Sequence, residues 1–171
     1  MTEAELMLIC QIFRNSIPEY EKGALNIWSL QMATGLRATE ALTFDSLITM
    51  SNSTTYVIQT LKGSGLRVIN RSDADPFLFY PDGSVNPYVR TLSYHNYRRV
   101  LLRAMSGRVL ATDNKLCVSH LPRHVYAKRL AMNGATVQDI AANMAVRVKT
   151  ANHYVTSELR FVVDYGFSTS L

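Results

Sequence analysis

Arg37, Lys62, His120, Arg123 and Tyr154 lie far apart in the sequence, yet their side chains share one chemical use. Arginine's planar guanidinium binds two oxygens of one phosphate and stays charged at any working pH. A lysine can protonate a leaving oxygen, and a tyrosine hydroxyl can attack phosphorus. Together they are the parts for phosphoryl transfer without a metal ion. Free tyrosine has a pKa of ~10, so ionising it at pH 7 costs about 4 kcal/mol. A phosphate site ringed by arginines supplies part of that.

Each residue also has a plainer reading. Arg37 lies in Thr34-Gly-Leu-Arg-Ala-Thr-Glu40, where it follows a glycine helix cap and can be a surface residue. Lys62 lies in Lys62-Gly-Ser-Gly65, a turn whose tip is ordinarily solvated. His120 and His124, in Ser119-His-Leu-Pro-Arg-His124, have the i, i+4 spacing of a zinc pair. Arg123 stands between them and no glutamate follows His120, which argues against a metal. Tyr154 can be one more core tyrosine among nine. Glu40 and Asp45 have no second carboxylate placed beside them for acid–base work, and Glu40 is better suited to orienting Arg37.

Local patterns say which elements must hold these residues. Thr2 with Glu5 is a capping box, and the apolar spacing behind it predicts a helix over residues 3–15. A second helix is expected from about Glu19 to Thr34, capped by Gly35, then a short one from Ala38 to Thr43. Thr55–Thr60 and Leu66–Ile69 read as the two strands of a hairpin that turns at Lys62–Gly65. Residues 71–90 hold three prolines and read as loop, and residues 91–106 as an amphipathic helix. Pro122 in a first turn opens a helix that closes near Gly134. Thr136 with Asp139 caps a short helix, and a last one carries Thr150 to about Glu158, with Tyr154 on it. The expected class is α+β, mainly α-helical, with one small antiparallel sheet.

Composition bounds the rest. A chain of 171 residues, 47% hydrophobic, can build one core. No apolar run approaches the ~20 residues of a membrane helix, and residues 1–5 do not resemble a secretory leader. Cys10 and Cys117 form neither a disulfide framework nor a metal-type spacing, so a reducing, cytoplasmic setting is expected. The net charge of +5 and isoelectric point near 9.4 suit a polyanion such as DNA.

Order and spacing together resemble the phage-integrase family of tyrosine recombinases. The family's first box reads like T-G-x-R-x-x-E-L, beside Thr34-Gly-Leu-Arg-Ala-Thr-Glu-Ala-Leu42 here. Its hairpin lysine sits in a K-G-x-x-x-R pattern, met by Lys62, Gly63 and Arg67. Its second box, like H-x-L-R-H-x-x-A, is met by His120-Leu-Pro-Arg-His-Val-Tyr-Ala127, with Pro122 in place of leucine. Gly134, Ile140 and Tyr154 then follow in the family's order. The family usually places histidine or tryptophan about nine residues before the tyrosine, in a segment like L-G-H. Asn143-Met-Ala-Val-Arg147 stands there, with Ala145 at that place counted back from Tyr154 and Val146 counted forward from Gly134.

The resemblance implies a site-specific recombinase or integrase acting on double-stranded DNA, with no cofactor and no metal. Tyr154 would attack the scissile phosphate. Arg37 and Arg123 would hold its non-bridging oxygens, and Lys62 would protonate the leaving 5′ oxygen. His120 would contact the phosphate or the tyrosine proton, with His124 and Glu40 in support. It also implies a homotetramer on DNA, accessory DNA-bending proteins, and residues 1–171 as a catalytic domain without the family's N-terminal core-binding domain. Two alternatives stay open: a catalytically impaired DNA-binding module of the same fold, and an activity like that of type IB topoisomerases. The apolar segment after Glu158 either packs on its own chain or docks into a neighbouring protomer.

Overall fold

A computed structural model describes residue 15 and residues 22–61, 65–89, 91–104, 108–112, 115–116 and 119–163. All but the last residue of the helix expected over residues 3–15, together with Lys62 and the end of the tail, lie outside the described residues. Helix α1 (Lys22–Thr34) ends at Gly35, whose amide donates back to the Gln31 carbonyl at 2.7 Å. Gly35 has a φ of 70°, and a Cβ there would stand 2.4 Å from the Tyr126 ring. Both the left-handed turn and the close approach therefore require glycine.

Helices α2 (Ala38–Leu42) and α3 (Phe44–Leu47) follow, then strand β1 (Ile48–Ser51). Strands β2 (Thr55–Gln59) and β3 (Leu66–Asn70) form the expected hairpin, and β1 adds to its edge. Pairing is antiparallel, with Tyr56 opposite Ile69 and Ile58 opposite Arg67. These four residues face the core, so alternation along β3 carries Arg67 inward.

The prolines of residues 71–90 suggest loop, but Arg71–Leu78 is helix α4, with Pro76 inside it. Ala74 and Leu78, four residues apart, are buried together, and Arg71 bonds Asp75 at 3.0 Å. Packing of that face against α1 outweighs the donor lost at Pro76. A 3-10 turn (Pro87–Val89) leads to α5 (Tyr94–Ala104). Strands β4 (Arg108–Thr112) and β5 (Lys115–Leu116) form a second hairpin. Helices α6 (Leu121–Met132), α7 (Val137–Met144) and α8 (Val148–Thr156) come next. Thr136 and Asp139 form the capping box read from the sequence.

The chain then returns as β6 (Leu159–Val163), antiparallel to β4, so a second three-stranded sheet joins the one expected. The described part of the apolar tail is thus seated on its own chain. The main core holds Ile27, Trp28, Leu30, Leu36, Phe44, Ile58, Leu101 and Leu121. A smaller one, with Ala127, Ile140, Met144, Ala151 and Tyr154, joins α6, α7 and α8. No helix among the described residues is long and apolar enough to cross a membrane.

Candidate active site

Glu40 is the hub of the site. Its carboxylate is wholly buried and accepts from the Arg37 backbone at 2.9 Å and the Arg37 guanidinium at 3.2 Å. It also accepts from the Leu61 amide at 3.0 Å, which ties the base of the β2–β3 hairpin to the start of α2. On its other side, Arg123 Nη1 stands 4.0 Å from Glu40 Oε1. One carboxylate thus lies between two guanidinium groups, leaving the pair a net positive charge.

Arg123 is 0% exposed, and its guanidinium nitrogens make no hydrogen bond of full geometry among the described residues; the groups nearest in charge are the Tyr154 hydroxyl and the Glu40 carboxylate, which oppose the effect of burial. Buried charges are normally paired and bonded, because desolvation of an unmatched ion is costly. Burial drives the Arg123 pKa down from its ordinary value, and the charge of Arg37 pushes the same way. The first turn of α6 fixes this arrangement. Arg123 and His124 donate their amides to the His120 carbonyl at 3.0 and 3.3 Å, and Pro122 occupies a position where no donor is missed.

Tyr154, buried on α8, packs against two α6 side chains. The Arg123 guanidinium lies 5.3 Å from its ring centroid, and His124 meets it edge-on at 4.8 Å and 85°. Burial, first of all, pushes the His124 pKa down to about 4, so its ring is neutral near pH 7. His153 lies 6.1 Å from the Tyr154 ring and 3.2 Å from the Ser157 hydroxyl. Lys128 Nζ donates to the Val155 and Ser157 carbonyls at 2.8 and 2.6 Å, which fastens the end of α8 to α6. A cation on the last carbonyls of a helix also suits its dipole.

The structure therefore brings Arg37, Glu40, Arg123, His124 and Tyr154 together. His120 is exposed at the N-cap of α6, one turn before His124. Ala145 is the left-handed cap of α7, at φ 52° and ψ 50°. The amides of Ala145 and Val146 return to the carbonyls of Ala142 and Ala141, the Schellman pattern in which glycine is usual. Asn143 is held in place: its carbonyl accepts from Arg67 Nε at 2.8 Å and its Oδ1 from the Tyr126 hydroxyl at 2.8 Å. Among the described residues, no three histidine, cysteine or acidic side chains cluster as metal ligands.

The architecture, mainly helical with small antiparallel sheets, matches the fold of the tyrosine recombinases and integrases. Among solved structures it is similar to the XerH site-specific recombinase bound to difH substrate in a pre-cleavage complex. That match has a TM-score of 0.59 and 14% identity, over 100% of this chain and 52% of the other. XerH in a post-cleavage complex on palindromic difH gives 0.59 and 14%, over 90% and 48%. The Tn1549 transposon integrase with circular intermediate DNA gives 0.53 and 12%, over 90% and 60%. The likeness is one of fold, and this chain spans about half the length of the XerH chain. No family model and no curated protein matches the sequence.

Proposed function

We propose that this chain is the catalytic domain of a recombinase or integrase that breaks and rejoins double-stranded DNA through a 3′-phosphotyrosine. One observation carries the reading: the fully buried Arg123 guanidinium lies beside Tyr154 with guanidinium nitrogens that are short of hydrogen-bond acceptors among the described residues, and Glu40, 4.0 Å away, and Arg37 complete the cluster. An anion at that place would give those nitrogens the acceptors that the described residues do not supply. A phosphodiester is the anion for which an adjacent tyrosine has a use.

In this reading Tyr154 Oη attacks phosphorus, the bond to the 5′ oxygen breaks, and a free 5′-hydroxyl leaves. His120 takes the phenolic proton and Lys62 supplies the proton to the 5′ oxygen. Arg37 and Arg123 stabilise the charge that builds on the non-bridging oxygens. His124, neutral and packed edge-on, braces the Tyr154 ring. Attack by a 5′-hydroxyl reverses the step and releases the tyrosine, so rejoining needs no nucleotide hydrolysis. DNA as partner is supported by the positive net charge and by the DNA-bound state of the XerH and Tn1549 complexes. A homotetramer on DNA, with accessory DNA-bending proteins, belongs to the same proposal.

A second reading, a DNA-binding module with impaired catalysis, is favoured by the missing histidine or tryptophan. The left-handed backbone at Ala145 is one that a glycine of an L-G-H segment would adopt, which supports Val146 over Ala145 as the donor's position. Neither side chain donates a hydrogen bond. Nicked duplex DNA that traps the covalent intermediate separates the two readings. The wild type should give a denaturant-resistant adduct, and Tyr154→Phe should give none while still binding DNA. No adduct from the wild type on its own site would favour the binding module.

A further inference from the structure

Gln31 is a wholly buried amide on the core side of α1, among Ala24, Ile27, Trp28 and Leu30. Its Nε2 donates to the Leu36 carbonyl at 2.9 Å and to the Ser119 carbonyl at 3.2 Å. Its Oε1 accepts from the Tyr97 hydroxyl, itself fully buried on α5, at 2.7 Å. The two carbonyls have a telling position. Leu36 C=O belongs to the peptide bond that enters Arg37, and Ser119 C=O to the one that enters His120. A single side chain therefore ties the turn just after its own helix to a segment that begins 88 residues further along the chain from Gln31, at the points where each delivers a site residue.

Packing alone does not call for this amide. An apolar residue of similar size would fill the position and need no partner from α5. The two donors of one planar amide, held by the Tyr97 phenol, instead fix a short distance between the Arg37 turn and the start of α6. We propose that Gln31, locked by Tyr97, is a positioning residue that sets the spacing of Arg37 against His120 and Arg123. This rests on the function proposed above, and it adds a residue outside every motif read from the sequence.

The test separates positioning from stability. Gln31→Met leaves the Tyr97 hydroxyl and two buried carbonyls without their partner and lowers the melting temperature. Adding Tyr97→Phe removes the orphaned hydroxyl and restores part of that loss. Two site readouts are followed in the full chain. One is sulfate affinity, from NMR titration of the Arg37 and Arg123 side-chain N–H signals. The other is adduct formation on nicked duplex DNA.

If Gln31 positions the site, Gln31→Met/Tyr97→Phe keeps sulfate binding and adduct rate roughly tenfold or more below wild type despite its recovered melting temperature. Misplacement of about 1 Å can cost up to ~10²-fold in rate. Recovery of affinity and rate in step with stability would overturn the inference. Tyr97→Phe alone, which keeps the ring and both amide donors, covers the case in which the Gln31 variants do not fold. It should weaken sulfate binding roughly threefold, and unchanged affinity would overturn the inference. The sulfate arm needs no catalysis. A wild type that binds sulfate but forms no adduct therefore defeats the recombinase reading and leaves this test standing.

Discussion

Acidification should destabilise this protein through His124. The residue is 3% exposed, its ring packs against Tyr154, and burial holds its pKa at about 4 against an ordinary 6.5. Unfolding frees the imidazole, so between those values the unfolded chain binds a proton that the folded chain refuses. Stability from this residue is therefore present above about pH 6.5 and is lost as pH falls toward 4. Going from pH 7 to pH 5 should cost ~2 kcal/mol. For a domain of this size that lowers the melting temperature by roughly 4–8 °C. Phenylalanine keeps the edge-on ring contact and cannot take up the proton. Chemical denaturation of wild type and His124→Phe at pH 7, 6 and 5 measures the difference directly. The wild-type curve should be steeper by ~2 kcal/mol over that span. Equal slopes in the two proteins would refute the reasoning, because the acid sensitivity would then arise elsewhere.

Glu40→Gln should be strongly destabilising, by ~3–5 kcal/mol in urea unfolding, because a buried charge pair loses one member and an amide cannot accept from all three donors. Ala145→Gly should stabilise the fold by ~1 kcal/mol through relief of the left-handed conformation, read as a rise in urea midpoint. In the same segment, Val146→His should speed adduct formation if no other group supplies the missing donor. An unchanged rate would point to a substitute such as His153. Lys62→Ala should cleave ordinary DNA slowly and a substrate with sulfur at the 5′ bridging position at nearly the wild-type rate. Equal loss on both substrates would assign Lys62 to binding.

The elements that local chemistry specifies were legible in the sequence. Gly35 ends α1, Pro122 opens α6, Thr136 and Asp139 cap α7, and the Thr55–Ile69 pattern gives a hairpin. What was hidden depends on partners distant along the chain. Helix α4 forms because Ala74 and Leu78 find α1, which overrides the signal of Pro76. Strand β4 exists as a ladder with β6, and no local pattern in Arg108–Thr112 announces a pairing with Leu159–Val163. The site shows the same division. Residue types and order named Arg37, Arg123 and Tyr154, but the burial of Arg123, with few acceptors for it among the described residues, is a property of the assembled fold. Gln31, Lys128 and Asn143 act through backbone carbonyls or shared oxygens, which leave no mark on residue type or spacing. The left-handed cap at Ala145 was invisible for a related reason: alanine is a helix former, and only the Schellman bonds reveal its position.

The account stands on the position of the buried Arg123 guanidinium, short of hydrogen-bond acceptors among the described residues, beside one tyrosine among nine. The most direct measurement is therefore to map the attachment point. The protein is trapped on a nicked duplex carrying its recombination site, the DNA is digested, and the nucleotide-bearing peptide is sequenced by mass spectrometry. The account predicts a phosphodiester on Tyr154, with Arg123→Gln slowing its formation ~10²-fold or more. Attachment at any other residue, or an undiminished adduct from Tyr154→Phe, would contradict it.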